Sequence, residues 1–397
     1  IEGLYYVGSE AQESLPLKWT VGSDLVWDDN VTPTAINPAT GLPADEEDSI
    51  SLGAYAGLSF VNISPQSTLD VYARVGVDYY FDAPSTQSDD VVPNARVGVN
   101  YTHRFNERLR LTTRNFLSYE MEPNYAYGFA TTRQTDPYFY WSTDNSIGYR
   151  WTERFATYTG FRLSGLDYDG NVANADRSTV ELYNQFRYQL DPRSVLTFDY
   201  RYSQTDADGL AADSSSHYLL LGIEHRFSPN TILIARAGAQ IRESDAVNGS
   251  DGTNPFAEIA LRSQINSQFS VRAFARYSAE VYDTTRYVGT GTYDFDDRRT
   301  LRLGLTSEYN FSPMFSLFGG VDYIPASFED GRLVSGVGPA VSGGIDEDLI
   351  NLYVGLSAKF TDYLYGTISY NYTDSDSDFT GYTYDRNRVS LGLRAEF

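Results

Sequence analysis

The chain has 397 residues, 15% of them aromatic, with 33 Tyr, 2 Met, no Cys and a formal charge of −23. That charge argues against nucleic acid as a partner, because phosphates would be repelled. No stretch approaches the roughly 18 uninterrupted apolar residues of a membrane helix, which excludes a helical membrane protein. No linker, charge block or shift in composition divides the chain, so one continuous architecture is expected.

In chain order, the first alternating run is bracketed by Trp19 and Trp27 and followed by an acidic stretch, Asp45, Glu46, Glu47 and Asp48. From there one punctuation mark recurs: a large apolar residue, a few turn-forming residues, then a new alternating run. It stands at Ile63 before Ser64, Phe105 before Asn106, Trp151 before Thr152 and Leu190 before Asp191. The second half repeats it at Phe227 before Ser228, Ile265 before Asn266, Phe311 before Ser312 and Phe360 before Thr361.

Successive marks lie between 37 residues (Leu190 to Phe227) and 49 residues (Phe311 to Phe360) apart, and the next step ends on Phe397. Each period holds two alternating segments around a looser stretch rich in Asp, Ser, Gly, Asn and Thr, as in Thr205 to Ser214 or Asp374 to Gly381. Eight tight turns and nine longer loops, with both termini on the tight-turn side, predict eighteen antiparallel strands. A propeller has a similar period but four short strands in each, whereas these segments run about 11 to 15 residues, enough to cross a bilayer at a tilt.

The two faces of a strand differ. Leu109, Leu111, Leu117 and Tyr119 alternate with Arg110, Thr112, Arg114, Ser118 and Glu120. Ala95, Val97, Val99 and Tyr101 oppose Arg96, Asn100 and Arg104 in the same way, and Phe269, Val271, Ala273, Ala275 and Tyr277 oppose Arg272, Arg276 and Glu280. Arg at mid-strand is too costly for a packed core. A lipid-facing exterior around a wet, polar interior satisfies both faces, and closure leaves no strand edge unpaired. Aromatic residues at strand ends, Trp19, Trp27, Tyr79, Phe81 and Trp151, fit interfacial girdles.

The last strand places Val389, Leu391, Leu393, Ala395 and Phe397 on one face and ends on the aromatic. In this the sequence resembles bacterial outer-membrane β-barrel proteins, and most of all the β-barrel porin families. That resemblance implies an all-β, transmembrane, up-and-down barrel integral to the outer membrane of a Gram-negative cell, with short periplasmic turns and longer extracellular loops. It further implies Phe397 as an assembly signal read by the barrel assembly machinery, and contact with outer-membrane lipid and surface lipopolysaccharide. The pattern departs from general porins in lacking an obvious long constriction loop. Residues 1–16 are then expected to form a periplasmic N-terminal segment of a mature exported chain, and residues 17–397 the barrel.

With the polar faces inward, the lumen is expected to be lined by Arg74, Arg96, Arg110, Arg114, Arg162, Arg187, Arg201, Arg226, Arg236, Arg272, Arg276 and Arg302, against Asp78, Glu181, Asp199, Glu224, Glu258, Glu280 and Glu308. Such a lining suits a porin, a passive or weakly selective channel for small polar or anionic solutes. The same groups, paired across strands, suit a plugged structural or adhesive surface barrel. Acidic loops are expected at Asp45 to Asp48, at Asp294, Asp296 and Asp297, and at Asp374, Asp376 and Asp378. The last spacing resembles a calcium loop but has Phe379 where Gly is required. No cofactor or metal is expected. His103, His217 and His225 have no Ser and carboxylate at a catalytic spacing, so an enzyme is not expected. Small residues at Ala235, Ala237, Ala239, Ala257, Ala273, Ala275 and Ala279 offer a flat outer face for a homo-oligomer such as a trimer.

Overall fold

The computed structural model describes every residue except 1–13, 35–44, 86–88, 123–135, 170–175, 209–211, 246–250, 289, 340, 342–343 and 380. The described chain is all β. Its strands are β1 (Leu15–Asp28), β2 (Ser49–Ile63), β3 (Ser67–Tyr80), β4 (Val91–Arg104), β5 (Leu109–Glu120), β6 (Tyr138–Arg150), β7 (Phe155–Tyr168), β8 (Arg177–Asp191), β9 (Ser194–Ala207), β10 (Ser214–Ser228), β11 (Thr231–Ser244), β12 (Gly252–Gln264), β13 (Phe269–Glu280), β14 (Thr285–Val288), β15 (Gly291–Tyr309), β16 (Phe315–Gly336), β17 (Ile345–Lys359), β18 (Leu364–Ser377) and β19 (Tyr384–Glu396). Each wall strand pairs antiparallel with its neighbours, β13 pairs directly with β15, and β19 pairs back onto β1. Short β14 pairs only with the start of β15, so eighteen strands close the barrel, as the turn count requires. Closure reaches the last residue: Phe397 and Trp19 exchange backbone hydrogen bonds of 2.8 and 2.9 Å.

All eight punctuation marks are tight turns, and one device builds them. The side-chain oxygen of the residue after the apolar mark accepts a backbone N–H two or three positions on. Ser64, Asn106, Thr152, Asp191, Ser228, Asn266, Ser312 and Thr361 all do so. The apolar residue before most of the caps points outward: Phe105, Trp151, Phe227, Ile265 and Phe360 keep between 55% and 57% of their surface exposed, forming an aromatic-rich rim.

Other rows of exposed apolar side chains, such as Val21 and Leu25 on β1 or Leu219 and Leu221 on β10, complete an apolar outer belt. A surface this apolar fits lipid rather than water.

Two expectations on the loops are corrected. Asp294, Asp296 and Asp297 lie within β15, and Asp374 and Asp376 within β18, with only Asp378 beyond its end. Likewise Thr205 is still paired within β9. Polar composition suggested loops there, but a hairpin that rises out of the bilayer keeps its ladder bonds whatever its side chains, and β15 and β16 reach 19 and 22 residues that way. Their projecting ends carry a dry core of Tyr293, Phe295, Ala326, Phe328 and Phe379, against which Val288, Leu333 and Tyr382 pack.

Candidate channel interior

Strand parity sends every one of the nineteen expected lumen residues to the inner face, the face opposite the exposed apolar rows. Pairing between strands that are not neighbours supports this, since such chords run inside the barrel. Arg201 on β9 meets Glu258 on β12 at 3.1 Å, and Arg187 on β8 bonds Glu224 on β10. Arg236 lies at the centre of this network, 3.2 Å from Asp199 and 3.1 Å from Glu258, and it is 3% exposed.

Around the wall the other expected residues fall into smaller groups. Arg162 bridges Asp144 at 3.0 Å and Glu181 at 2.9 Å. Arg96 pairs with Glu120 at 2.7 Å, and Arg74 with Asp24 at 3.2 Å, its guanidinium lying 3.7 Å from the Tyr55 ring centre. Asp78 accepts from Asn94 at 2.7 Å, and Arg114 is buried. Arg110, Arg226, Arg272 and Glu308 stand on the inner face nearer the tight turns.

One stretch of wall folds into the lumen. β12 and β13 are paired up to Ala257 and Tyr277, and two residues further the facing position on β12 is Pro255, which has no N–H to give. There β13 leaves β12. Gln240 on β11 takes over the missing ladder: its Nε2 donates to the Ala279 carbonyl at 2.9 Å, and its Oε1 accepts from the Ala279 N–H at 3.2 Å. Ala279 is consequently 4% exposed, which removes it from the expected flat outer face.

Beyond Ala279, Glu280 collects Arg302 at 2.6 Å, Arg298 at 2.8 Å and Arg276 at 3.3 Å. Asp283 takes a left-handed φ of 58° and bonds Arg286, which also reaches Glu347 on β17. Asp is among the few residues that tolerate this conformation. The resulting elbow extends Tyr282 inward until its ring lies 4.2 Å from the guanidinium of Arg177 on β8. Because β9 to β12 separate these strands in the wall, the contact spans the interior.

A second group of ion pairs gathers at the end of β5. Glu122, just past β5, accepts from Arg386 of β19 at 2.8 and 3.0 Å and lies 3.2 Å from Arg388, while Arg386 also bonds Asp28 on β1. Burial alone would raise the Glu122 carboxyl, but the two guanidiniums override it and hold it down at about 2.

Between the elbow and β6 to β9 lies a cavity of about 220 Å³ bordered by Tyr140, Arg162, Arg177, Glu181, Arg201, Tyr218, Arg276, Glu280 and Tyr282. Four of its charged groups are guanidiniums and two are carboxylates. Arg177, Arg298, Arg386 and Arg388 share the inner-face parity and were within reach of the same alternation. Glu122, Tyr282 and Asp283 were not, since loop residues have no parity.

His103, His217 and His225 each bond a cross-strand hydroxyl, on Ser67, Tyr200 and Ser194 respectively. Among the described residues no group of three or more His, Asp or Glu is placed to hold a metal ion. Asp374 and Asp376 lie two apart along a strand, so the calcium-type loop that their spacing resembles does not form there.

No protein-family model matches the sequence, and no curated protein matches it. Among solved structures the chain is similar to OccAB4 of Acinetobacter baumannii, with 12% identity, coverage of 97% of this chain and 99% of that one, and a TM-score of 0.47. It is similar to the same degree to the outer membrane protein opdK of Pseudomonas aeruginosa, with 12% identity, 96% and 99% coverage and a TM-score of 0.47. A BenF-like porin from Pseudomonas fluorescens Pf-5 gives 12% identity, 97% and 99% coverage and a TM-score of 0.45.

Proposed function

We propose that the chain is a porin of the bacterial outer membrane, a passive channel for small polar solutes with a preference for anions. The observation that carries this reading is the pairing of an apolar outer belt with an inner wall of guanidiniums and carboxylates, an arrangement suited to lipid outside and water within. The preference for anions rests on the cavity beside the elbow, where Arg162, Arg177, Arg201 and Arg276 outnumber Glu181 and Glu280. Tyr282, reaching across the interior to Arg177, narrows the path and favours small solutes over bulky ones.

Reconstitution in planar bilayers should give stepwise conductance with a reversal potential displaced toward the anion. Arg276→Glu, which equalises the cavity charges at three against three, should move that potential toward the cation. A silent, correctly folded barrel would sink the proposal.

A second reading, a closed structural or adhesive barrel, is favoured by one observation: Arg286, Arg298 and Arg302 are at most 2% exposed, so the elbow side of the interior is filled. It forecasts negligible conductance for the native chain, and conductance only when the elbow is loosened.

A further inference from the structure

On β5 and β6 a cluster of uncharged polar side chains interrupts the outer belt. Strand parity puts Thr113 and Asn115 of β5, and Thr143 and Asn145 of β6, on the lipid side, in cross-strand register with one another. Leu109, Leu111, Leu117 and Tyr119 flank them above and below on β5, and Phe139, Trp141, Ile147 and Tyr149 on β6, so the group lies at mid-height in the belt.

The four side chains form a closed ring. Asn115 Nδ2 donates to Thr113 Oγ1 at 3.2 Å, which donates to Asn145 Oδ1 at 2.6 Å; Asn145 Nδ2 donates to Thr143 Oγ1 at 2.8 Å, which donates to Asn115 Oδ1 at 2.8 Å. On the neighbouring strands Asn184 donates to Thr159 at 2.8 Å, extending the polar stripe.

Each amide in the ring has two N–H groups and two carbonyl lone pairs, and the ring uses one of each. Two donors and two acceptor sites are left over at the surface. Acyl chains offer neither partner, and lipid headgroups do not reach this depth, so lipid leaves them unsatisfied at a cost of several kcal/mol in hydrocarbon. A balanced, uncharged set of donors and acceptors is self-complementary, and the surface that satisfies it is the same ring on another molecule. An isologous contact brings identical patches together, as a two-fold axis does and a three-fold axis does not.

We propose that this ring is the contact between two copies of the chain, related by a two-fold axis along the membrane normal. Farther round the barrel, Leu221 of β10, Ala237 of β11 and Ala257 of β12 stand in cross-strand register as an apolar stretch of the belt and face lipid. The natural absence of Cys makes the test direct.

Single cysteines are introduced as Ile147→Cys, whose parent side chain is 54% exposed beside the ring, and as Leu221→Cys, 68% exposed on β10. Each protein is reconstituted in lipid vesicles at high dilution and oxidised. Crosslinked dimer should form at least tenfold more from Ile147→Cys, and subunit counting by photobleaching should give two. Adding Thr113→Val, Asn115→Leu, Thr143→Val and Asn145→Leu should bring crosslinking down to the Leu221→Cys level while the folded barrel keeps its heat-dependent shift in gel mobility. If that variant does not fold, Asn115→Leu alone, which opens the ring, is scored the same way. Equal crosslinking at both positions, a count of one or three, or a different protein bound at this face would each overturn the proposal.

Discussion

Gln240 does for Ala279 what the backbone of β12 cannot: its side-chain amide supplies both the donor and the acceptor that the ladder loses opposite Pro255. The inward elbow therefore depends on one fully buried side chain. Gln240→Leu keeps the volume but leaves the Ala279 N–H and C=O unpaired, at about 1–3 kcal/mol for each group. The elbow should detach, and single-channel recordings should show a larger, fluctuating conductance. Steady conductance at the native level would mean that Tyr282 and Glu280 hold the elbow without the clasp.

Glu280 is the only carboxylate common to Arg276, Arg298 and Arg302 among the described ion pairs. Glu280→Gln removes the buried carboxylate that these three guanidiniums share, and breaking a buried pair on one side typically costs about 3–5 kcal/mol. The variant should unfold at lower denaturant concentration and, where it folds, should be more anion-selective than the native barrel. Reversal potentials under a salt gradient, measured beside Arg276→Glu, give the sign: the two substitutions should move selectivity in opposite directions.

Much of this architecture was legible because two periodicities are written directly in the chain. The turn caps, from Ser64 to Thr361, name the residue type that accepts the turning N–H, and the alternation of β5 separates Leu111 from Arg110 without any knowledge of partners. Legibility ended where parity ends. Glu122 and Tyr282 act from loops, and nothing local indicates that they point inward. Thr113 and Asn115 were passed over for a different reason: they stand on the apolar face of their own strand, and only the cross-strand register with Thr143 and Asn145 makes them a group. Pro255 was a readable warning of a broken ladder, but its consequence needed Gln240, two strands from β13, to be seen.

Gly98 and Tyr72 pair across β3 and β4 on the inner wall, and the tyrosine ring lies over the glycine. A Cβ at position 98 would sit 2.2 Å from Tyr72 Cε1, far inside contact distance. Gly98→Val should expel the ring and destabilise the barrel by about 1–3 kcal/mol, the usual cost of overpacking. Tyr72→Ala in the same chain should recover part of that loss, because the clash goes with the ring. Denaturant unfolding of the two single variants and the double variant measures the coupling; strictly additive losses would show that the close approach is not what Gly98 serves.

Glu122, just past the end of β5, is tied to Arg386 and Arg388 of β19, and this attachment carries a pH window. Its carboxyl is held at about 2 when docked against Arg386 and Arg388, below the ordinary value of 4.5 that it regains when released. A lowered value means that docking favours the ionised form. The contribution is therefore complete above about pH 4.5, declines as the pH falls below that value and is lost by about pH 2. Conductance that depends on the docked Glu122 carboxylate should be unchanged from pH 7 to 5 and should rise as the pH is lowered toward 3. Glu122→Gln has nothing to titrate, so its conductance should already be raised at pH 7, and the difference between it and the native barrel should shrink across the same window. Comparing the two barrels removes the titration of every other carboxylate; a difference that stays constant from pH 7 to pH 3 would place the latch elsewhere than at Glu122 and Arg386.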